Sequence, residues 1–320
     1  MRFVSASWLT LLLLATSCAQ NKPIAQTMSV AQVQQPTSSA APARSATAPA
    51  PTVNSARAMQ YVKEIVAIGS RAPGSPGHKK EENYIAAHLK GDTVEHDTFT
   101  AKTPAGEFPL DNIIAKYSGT KDCIVVVGSH YDTNYPLKNY VGANDGGSTS
   151  GLLLELANHL RGKKREGCSV WLAWFDGEEA FDKWSATDSL YGSKHLADKW
   201  KSDGTAKKIR GLILLDMIGD ADLSVDRDDN SDQKLLDLIR DSAAQLGYQS
   251  FFFARELAIE DDHLPFKNVG VPVADLIDFD YGYNNSFHHT SEDTLDKLSP
   301  KSLQIIGDVV LATIQRLDSQ

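Results

Sequence analysis

Apolar residues recur with two different periods along this chain, and the change from one to the other divides it. Over 59–68 and 78–89 they fall at helical spacing, with Tyr61, Ile65 and Ile68 on one stripe and Tyr84, Ile85 and Leu89 on another. Between these helices, Arg71-Ala72-Pro73-Gly74-Ser75-Pro76-Gly77 is turn chemistry. Residues 94–100 and 112–117 alternate or run apolar, as strands do. A repeating strand–helix pattern follows: strands over 123–129, 168–175 and 209–215, helices over 146–160 and 190–200. Later residues predict a helix over 233–246, a short helix over 263–267, a strand over 273–277 and a closing helix over 298–317. Continuous apolar strands alternating with helices predict an α/β fold, with a mixed, mostly parallel central sheet and helices on both faces. No internal repeat is present.

The first 57 residues break this pattern. MRFVSASWLTLLLLATSC carries one cation, an apolar run through Leu14 and small residues leading to Cys18, which reads as an export signal over 1–18. The run is short for a membrane span of about 20 residues. Ala15-Thr16-Ser17-Cys18 is similar to a bacterial lipoprotein cleavage site, which would lipidate Cys18 and anchor the protein; ordinary signal cleavage without lipid fits as well. Either way the mature protein is expected outside the cytoplasm, in a periplasmic or extracellular location. Residues 19–57 are rich in Ala, Pro, Ser, Thr and Gln and nearly free of large apolar residues, the composition of a flexible tether. A single domain is expected over 58–320. A net charge of −9 excludes a basic footprint for nucleic acid. Cys123 and Cys168 either pair across neighbouring parallel strands or remain buried free thiols; sequence alone leaves both open.

In sheets of this kind ligands gather beyond the carboxyl ends of the strands. The polar residues there form a set. The first apolar strand leads into His130-Tyr131-Asp132, where residues two apart share a face, so that Asp132 can orient the imidazole. Asp145 follows in a Gly-rich turn before a helix, where capping is its plainest use. The next strand delivers Asp176-Gly177-Glu178-Glu179, then Trp184 in a tight loop. Asp216 ends a third strand, and Phe287-His288-His289 follows a fourth. Asp261-Asp262-His263 precedes the short helix. Adjacent glutamates after a buried strand suggest that one binds metal while the other moves a proton. Asp, Glu and His together suit zinc, whereas calcium would prefer more oxygens. A phosphate-binding glycine loop and a G-x-S-x-G elbow are both missing, and Ser148 and Ser150 sit among too many acids to suggest a serine triad.

From about Met59 onward the chain resembles the zinc aminopeptidase superfamily and, within it, the animal-type glutaminyl cyclases. The broad marks are His130-x-Asp132, Asp145, Glu178-Glu179, Asp216 and His289. The narrower ones are FDGEEAF with Trp184, SATDSLYGSKHLA, Asp261-Asp262-His263-x-Pro265-Phe266 and Gly270-Val271-Pro272-Val273. The resemblance implies one zinc ion held by Asp145, Glu179 and His289, with Glu178 as the proton-transfer residue. It also implies Asp216 and Asp261 in a catalytic carboxylate network, and Trp184 as a pocket wall. His130 matches a ligand of the second metal in dinuclear relatives. The implied reaction converts the N-terminal glutamine of peptides or proteins to pyroglutamate with release of ammonia. A dinuclear zinc aminopeptidase and a noncatalytic binding ectodomain are the alternatives. The chain departs from the family in placing His288 where a Trp usually lines the substrate pocket, and Ser129 and Ser150 where a disulfide is frequent.

Overall fold

The structure is a computed structural model, describing residues 52–135, 137 and 139–319. The export signal, Cys18 and most of the tether lie outside the described residues. The fold begins earlier than position 58. Val53 is buried and donates its N–H to Asp308, and Asn54 caps the helix α1 (Ser55–Val66) through the Arg57 N–H. An ion pair between Arg57 and the buried Glu155 (2.6 Å) also ties this first turn to the body. Composition hides that start, because one Val and one Asn do the anchoring.

Helix α2 (Pro76–His88) has the expected punctuation, with Ser75 accepting the His78 N–H and Pro76 at the first position. A long hairpin follows, β1 (Thr93–Thr103) and β2 (Gly106–Tyr117). The alternating part comprises β3 (Ile124–His130), α3 (Gly147–Leu160), β4 (Ser169–Phe175), α4 (Tyr191–Ser202) and β5 (Ile209–Asp216). It continues through β6 (Val225–Asp228), α5 (Gln233–Leu246), β7 (Phe252–Leu257), α6 (His263–Asn268), β8 (Val273–Ile277) and α7 (Pro300–Asp318).

Six strands form one sheet in the order β1-β2-β4-β3-β5-β8. The β4-β3-β5-β8 core is parallel, while the hairpin joins it antiparallel through β2 and β4. Every residue of β3 is buried, because alternate side chains meet different layers. Val125 and Val127 pack with α1, α3, α5 and α7, whereas Ile124 and Val126 pack with Leu196, Trp200 and Phe266 of α4 and α6. The sheet is thus mixed, mostly parallel and covered on both faces. Strands β6 and β7 form a separate parallel pair that the hydropathy pattern does not predict. Val-Asp-Arg-Asp has one apolar residue, and its two aspartates are buried by specific partners, Arg255 for Asp226 and Ser231 for Asp228. Cys123 and Cys168 form a disulfide at the amino ends of β3 and β4, which settles the choice left open above. Among the described residues no helix is long and apolar enough to cross a membrane.

Candidate metal and proton-transfer site

The four parallel strands deliver their carboxyl ends to one edge of the sheet. There a cavity of about 400 Å³ is lined by Asp145, Glu178, Glu179, Asp216, Asp261, His288 and His289, together with the apolar Trp184, Ile259, Ile277 and Phe279. Every residue expected to act in catalysis, substrate binding or metal binding faces this one cavity.

Asp145 does not cap α3. The cap position is Gly146, with no side-chain bond, and the Asp145 carboxylate instead faces His130 Nε2 (3.0 Å from Oδ1) and His289 Nε2 (3.3 Å from Oδ2), with the Tyr140 hydroxyl donating to Oδ2. Its turn is held from behind by Asp293, which accepts the N–H groups of Asn144 and Asp145 and the Tyr281 hydroxyl. Tyr140, Tyr281 and Asp293 carry no signal in the sequence. Asp293 lies 148 residues from Asp145, and no local spacing connects them.

The glutamate turn is built by Asp132. Its carboxylate accepts the N–H groups of Gly177 (3.0 Å), Glu178 (3.1 Å) and Glu179 (3.4 Å). This differs from the expectation that Asp132 orients His130, since the nearest carboxylate oxygen is 3.8 Å from Nδ1, too long for a hydrogen bond. The Asp132 backbone carbonyl contacts Nδ1 instead, at 3.2 Å. With the turn fixed, the two glutamates diverge. Glu179 Oε2 accepts from Asn134 Nδ2 (2.9 Å), and Oε1 lies 2.9 Å from His289 Nε2. Glu178 is buried, and among the described residues its carboxylate makes no hydrogen bond.

Trp184 stands at the rim, 37% exposed, with its Nε1 donating to Glu260 (3.4 Å). Its loop is held by Asp188, whose carboxylate accepts the N–H groups of Phe181, Asp182 and Lys183 and the Tyr191 hydroxyl. Ser193 of α4 donates to Asp262. The SATDSLYGS stretch therefore fixes the Trp184 loop and braces the Asp261–Asp262 turn.

Electrostatics at this edge favour a cation. Burial pushes the Glu178 carboxyl well above its ordinary range, opposed by His130 and reinforced by Glu179 and Asp261. Burial also raises Glu179, and it raises Asp261 strongly with help from Asp216. Burial disfavours the charged form of His289, yet Asp145 and Glu179 outweigh it and hold the imidazole up at about 11. Against the same desolvation, Asp132, Asp145 and Asp216 raise His130 well above its usual value. His288 goes the other way, lowered by burial. The carboxylates thus draw protons onto two imidazoles, as positive charge is what the cluster lacks.

The donor set fits zinc. His289 Nε2 faces two carboxylate oxygens, at 2.9 and 3.3 Å, and one N–H cannot serve both well. Donor atoms about 2.0–2.2 Å from a tetrahedral zinc stand roughly 3.3–3.6 Å apart, which the Asp145 separation meets and the Glu179 one approaches from below. Asp145, His288 and His289 have donor atoms within 4.8 Å of one another, so His288 stands within reach as well as Glu179. His130, Asp145 and Asp216 form a second such group. His289 itself adopts a left-handed backbone (φ 53°), as does Met217 beside Asp216 (φ 50°). Such non-glycine conformations cost about 1–3 kcal/mol each and cluster at functional sites.

Comparison with known proteins agrees with this architecture. The family model for peptidase family M28 matches residues 112–314, more than half of the chain. Glutaminyl-peptide cyclotransferase from Boiga irregularis is 32% identical over 280 residues, covering 75% of this chain and 75% of the relative. Among solved structures, an Acidobacteriales bacterium glutaminyl cyclase is 48% identical with a TM-score of 0.84, covering 88% of this chain and 99% of that one. Porphyromonas gingivalis glutaminyl cyclase is 28% identical with a TM-score of 0.74, covering 82% and 98%. The chain belongs to peptidase family M28 and, within it, to the glutaminyl-peptide cyclotransferases.

Proposed function

We propose that this enzyme is a zinc-dependent glutaminyl-peptide cyclotransferase, acting on peptides or proteins with N-terminal glutamine and using one zinc ion. The observation that carries the reading is the split between the adjacent glutamates. Glu179 is turned to His289, while Glu178 faces the cavity without a hydrogen-bond partner among the described residues. Asp145, Glu179 and His289 would hold the zinc, which when bound supplies Lewis acidity at the glutamine γ-carbonyl.

The chain's own residues supply the rest. Trp184 walls the rim against which the glutamine side chain lies, and His288 stands on the same cavity beside Phe279 (ring centroids 5.1 Å). Glu178 takes a proton from the substrate's α-amine as that nitrogen bonds to the carbonyl carbon (Cδ) of the side-chain amide. It then returns a proton to the amide nitrogen as the carbon–nitrogen bond breaks, releasing ammonia and leaving a five-membered lactam. Burial makes Glu178 a stronger base than a surface carboxylate, which suits it to that exchange. The negative charge of Asp261 reinforces that shift, and Asp216 lies on the same cavity.

Positioned proton transfer contributes about 10²- to 10⁴-fold. Glu178→Gln should lose that much kcat with zinc content unchanged; near-normal turnover would rule out this role.

A second reading draws on the His130–Asp145–Asp216 group, which offers a dinuclear aminopeptidase its second metal site. The cyclotransferase relatives weigh against it. We also propose that the protein is exported, a reading supported by the Cys123–Cys168 bond, since disulfides persist mainly in oxidising compartments.

A further inference from the structure

We infer that Arg71, in the turn between α1 and α2, is a positioning residue for the metal ligand Asp145; the inference rests on the zinc reading above. Arg71 is fully buried and lies 41 positions before the family-model match begins at residue 112. Its side chain nevertheless enters the back of the site. The guanidinium donates to the backbone carbonyls of Val141, Gly142 (3.0 Å) and Asp145 (3.4 Å), and Nε reaches the Tyr131 carbonyl (3.4 Å). Its own N–H donates to Thr133 Oγ1 (2.9 Å). One side chain thus straps the end of β3, which carries His130, to the turn that carries Asp145.

The charge is balanced by Glu81 of α2, also fully buried, with Oε2 2.7 Å from Arg71 Nε. An uncompensated buried guanidinium would be costly, so the pair keeps the strap in place. Gly142 (φ 51°) takes a left-handed conformation beside the strap, where a Cβ would stand 2.5 Å from the Asp145 carbonyl and 3.3 Å from Arg71 Nη2. Only a planar fork with five donors can span these carbonyls together, because a lysine ammonium presents three donors from a single point. The geometry fixes the ligand's backbone rather than touching substrate, so the effect belongs to metal affinity.

The test uses the full chain and zinc itself. Zinc affinity is measured by chelator competition for wild type, Arg71→Lys and Arg71→Met, beside circular dichroism and the melting temperature of the metal-free proteins. Loss of a supporting partner of a metal ligand typically costs 10- to 100-fold in affinity. Arg71→Lys should stay folded and bind zinc about 10- to 100-fold more weakly, with excess zinc restoring part of its turnover. A folded Lys variant with affinity within about twofold of wild type would overturn the assignment, being far below that expected loss. Failure of both variants to fold would overturn it too, making Arg71 a structural residue only. Wild type that takes up no zinc would instead sink the metal reading, and this inference with it.

Discussion

Removing the Cys123–Cys168 disulfide separates what holds the sheet together from what the sheet edge does. The bond closes a loop of 45 residues. In the chain-entropy treatment such a cross-link removes about 13 cal/mol/K from the unfolded ensemble, or about 4 kcal/mol at 25 °C. A folded part of about 270 residues has an unfolding entropy near 560 cal/mol/K, so the melting temperature should fall by about 7 °C. Catalysis should not follow. The disulfide lies at the amino ends of β3 and β4, and the seven steps from Cys123 to His130 span roughly 23 Å of extended chain. Alanine at both positions is the appropriate change, because Cys168 is fully buried and serine would add an unpaired hydroxyl. The assay is thermal unfolding of the double variant beside its turnover well below the transition. A drop smaller than about 2 °C would refute the entropy argument. Loss of more than about threefold in kcat while the protein is folded would refute the separation of bond and site.

Two other outcomes are expected. Glu179→Gln should lose zinc on dialysis, because it removes the charge facing His289 while keeping the acceptor shape; metal content equal to wild type would remove Glu179 from the ligand set. Asp278 is fully buried, and burial pushes its carboxyl up to about 7 against N–H groups of Ser224 and Asp280. A raised folded-state pKa means the native state binds more protons, so this group's stabilisation is full below the unfolded value near 3.9 and is lost as pH rises through about 7. Asp278→Asn should flatten that slope by up to about 1.4 kcal/mol per pH unit between pH 5 and 6.5. Urea midpoints across that range read it, and an unchanged slope would contradict the assignment.

Most of the fold was legible because its strands are buried on both sides. Runs such as Ile124–Val127 carry apolar residues at successive positions, a pattern that survives any register. The β6–β7 pair was not legible, since Asp226 and Asp228 are buried by partners rather than by hydropathy. The site divides in the same way. Glu178, Glu179, Asp216 and His289 follow strands, so their common edge could be foreseen from chain order and the parallel sheet. Asp145 was ambiguous with a helix cap until its carboxylate was seen to face two imidazoles. Arg71 and Asp293 act on the site through contacts that no sequence spacing announces, and nothing in their neighbourhoods marks them. Asp188 is the contrary case. The N–H groups it accepts lie five to seven residues away, within one tight loop, so the bracing of Trp184 was local even though its purpose was not.

The central claim is that this edge of the sheet closes a ring rather than cuts a chain. Ammonia release from a peptide beginning with glutamine, measured beside amino acid release from one beginning with leucine on the same zinc-loaded protein, tests it most directly. Ammonia and a pyroglutamyl product are expected from the first peptide, and no free leucine from the second. Release of leucine without cyclisation of glutamine would contradict the claim.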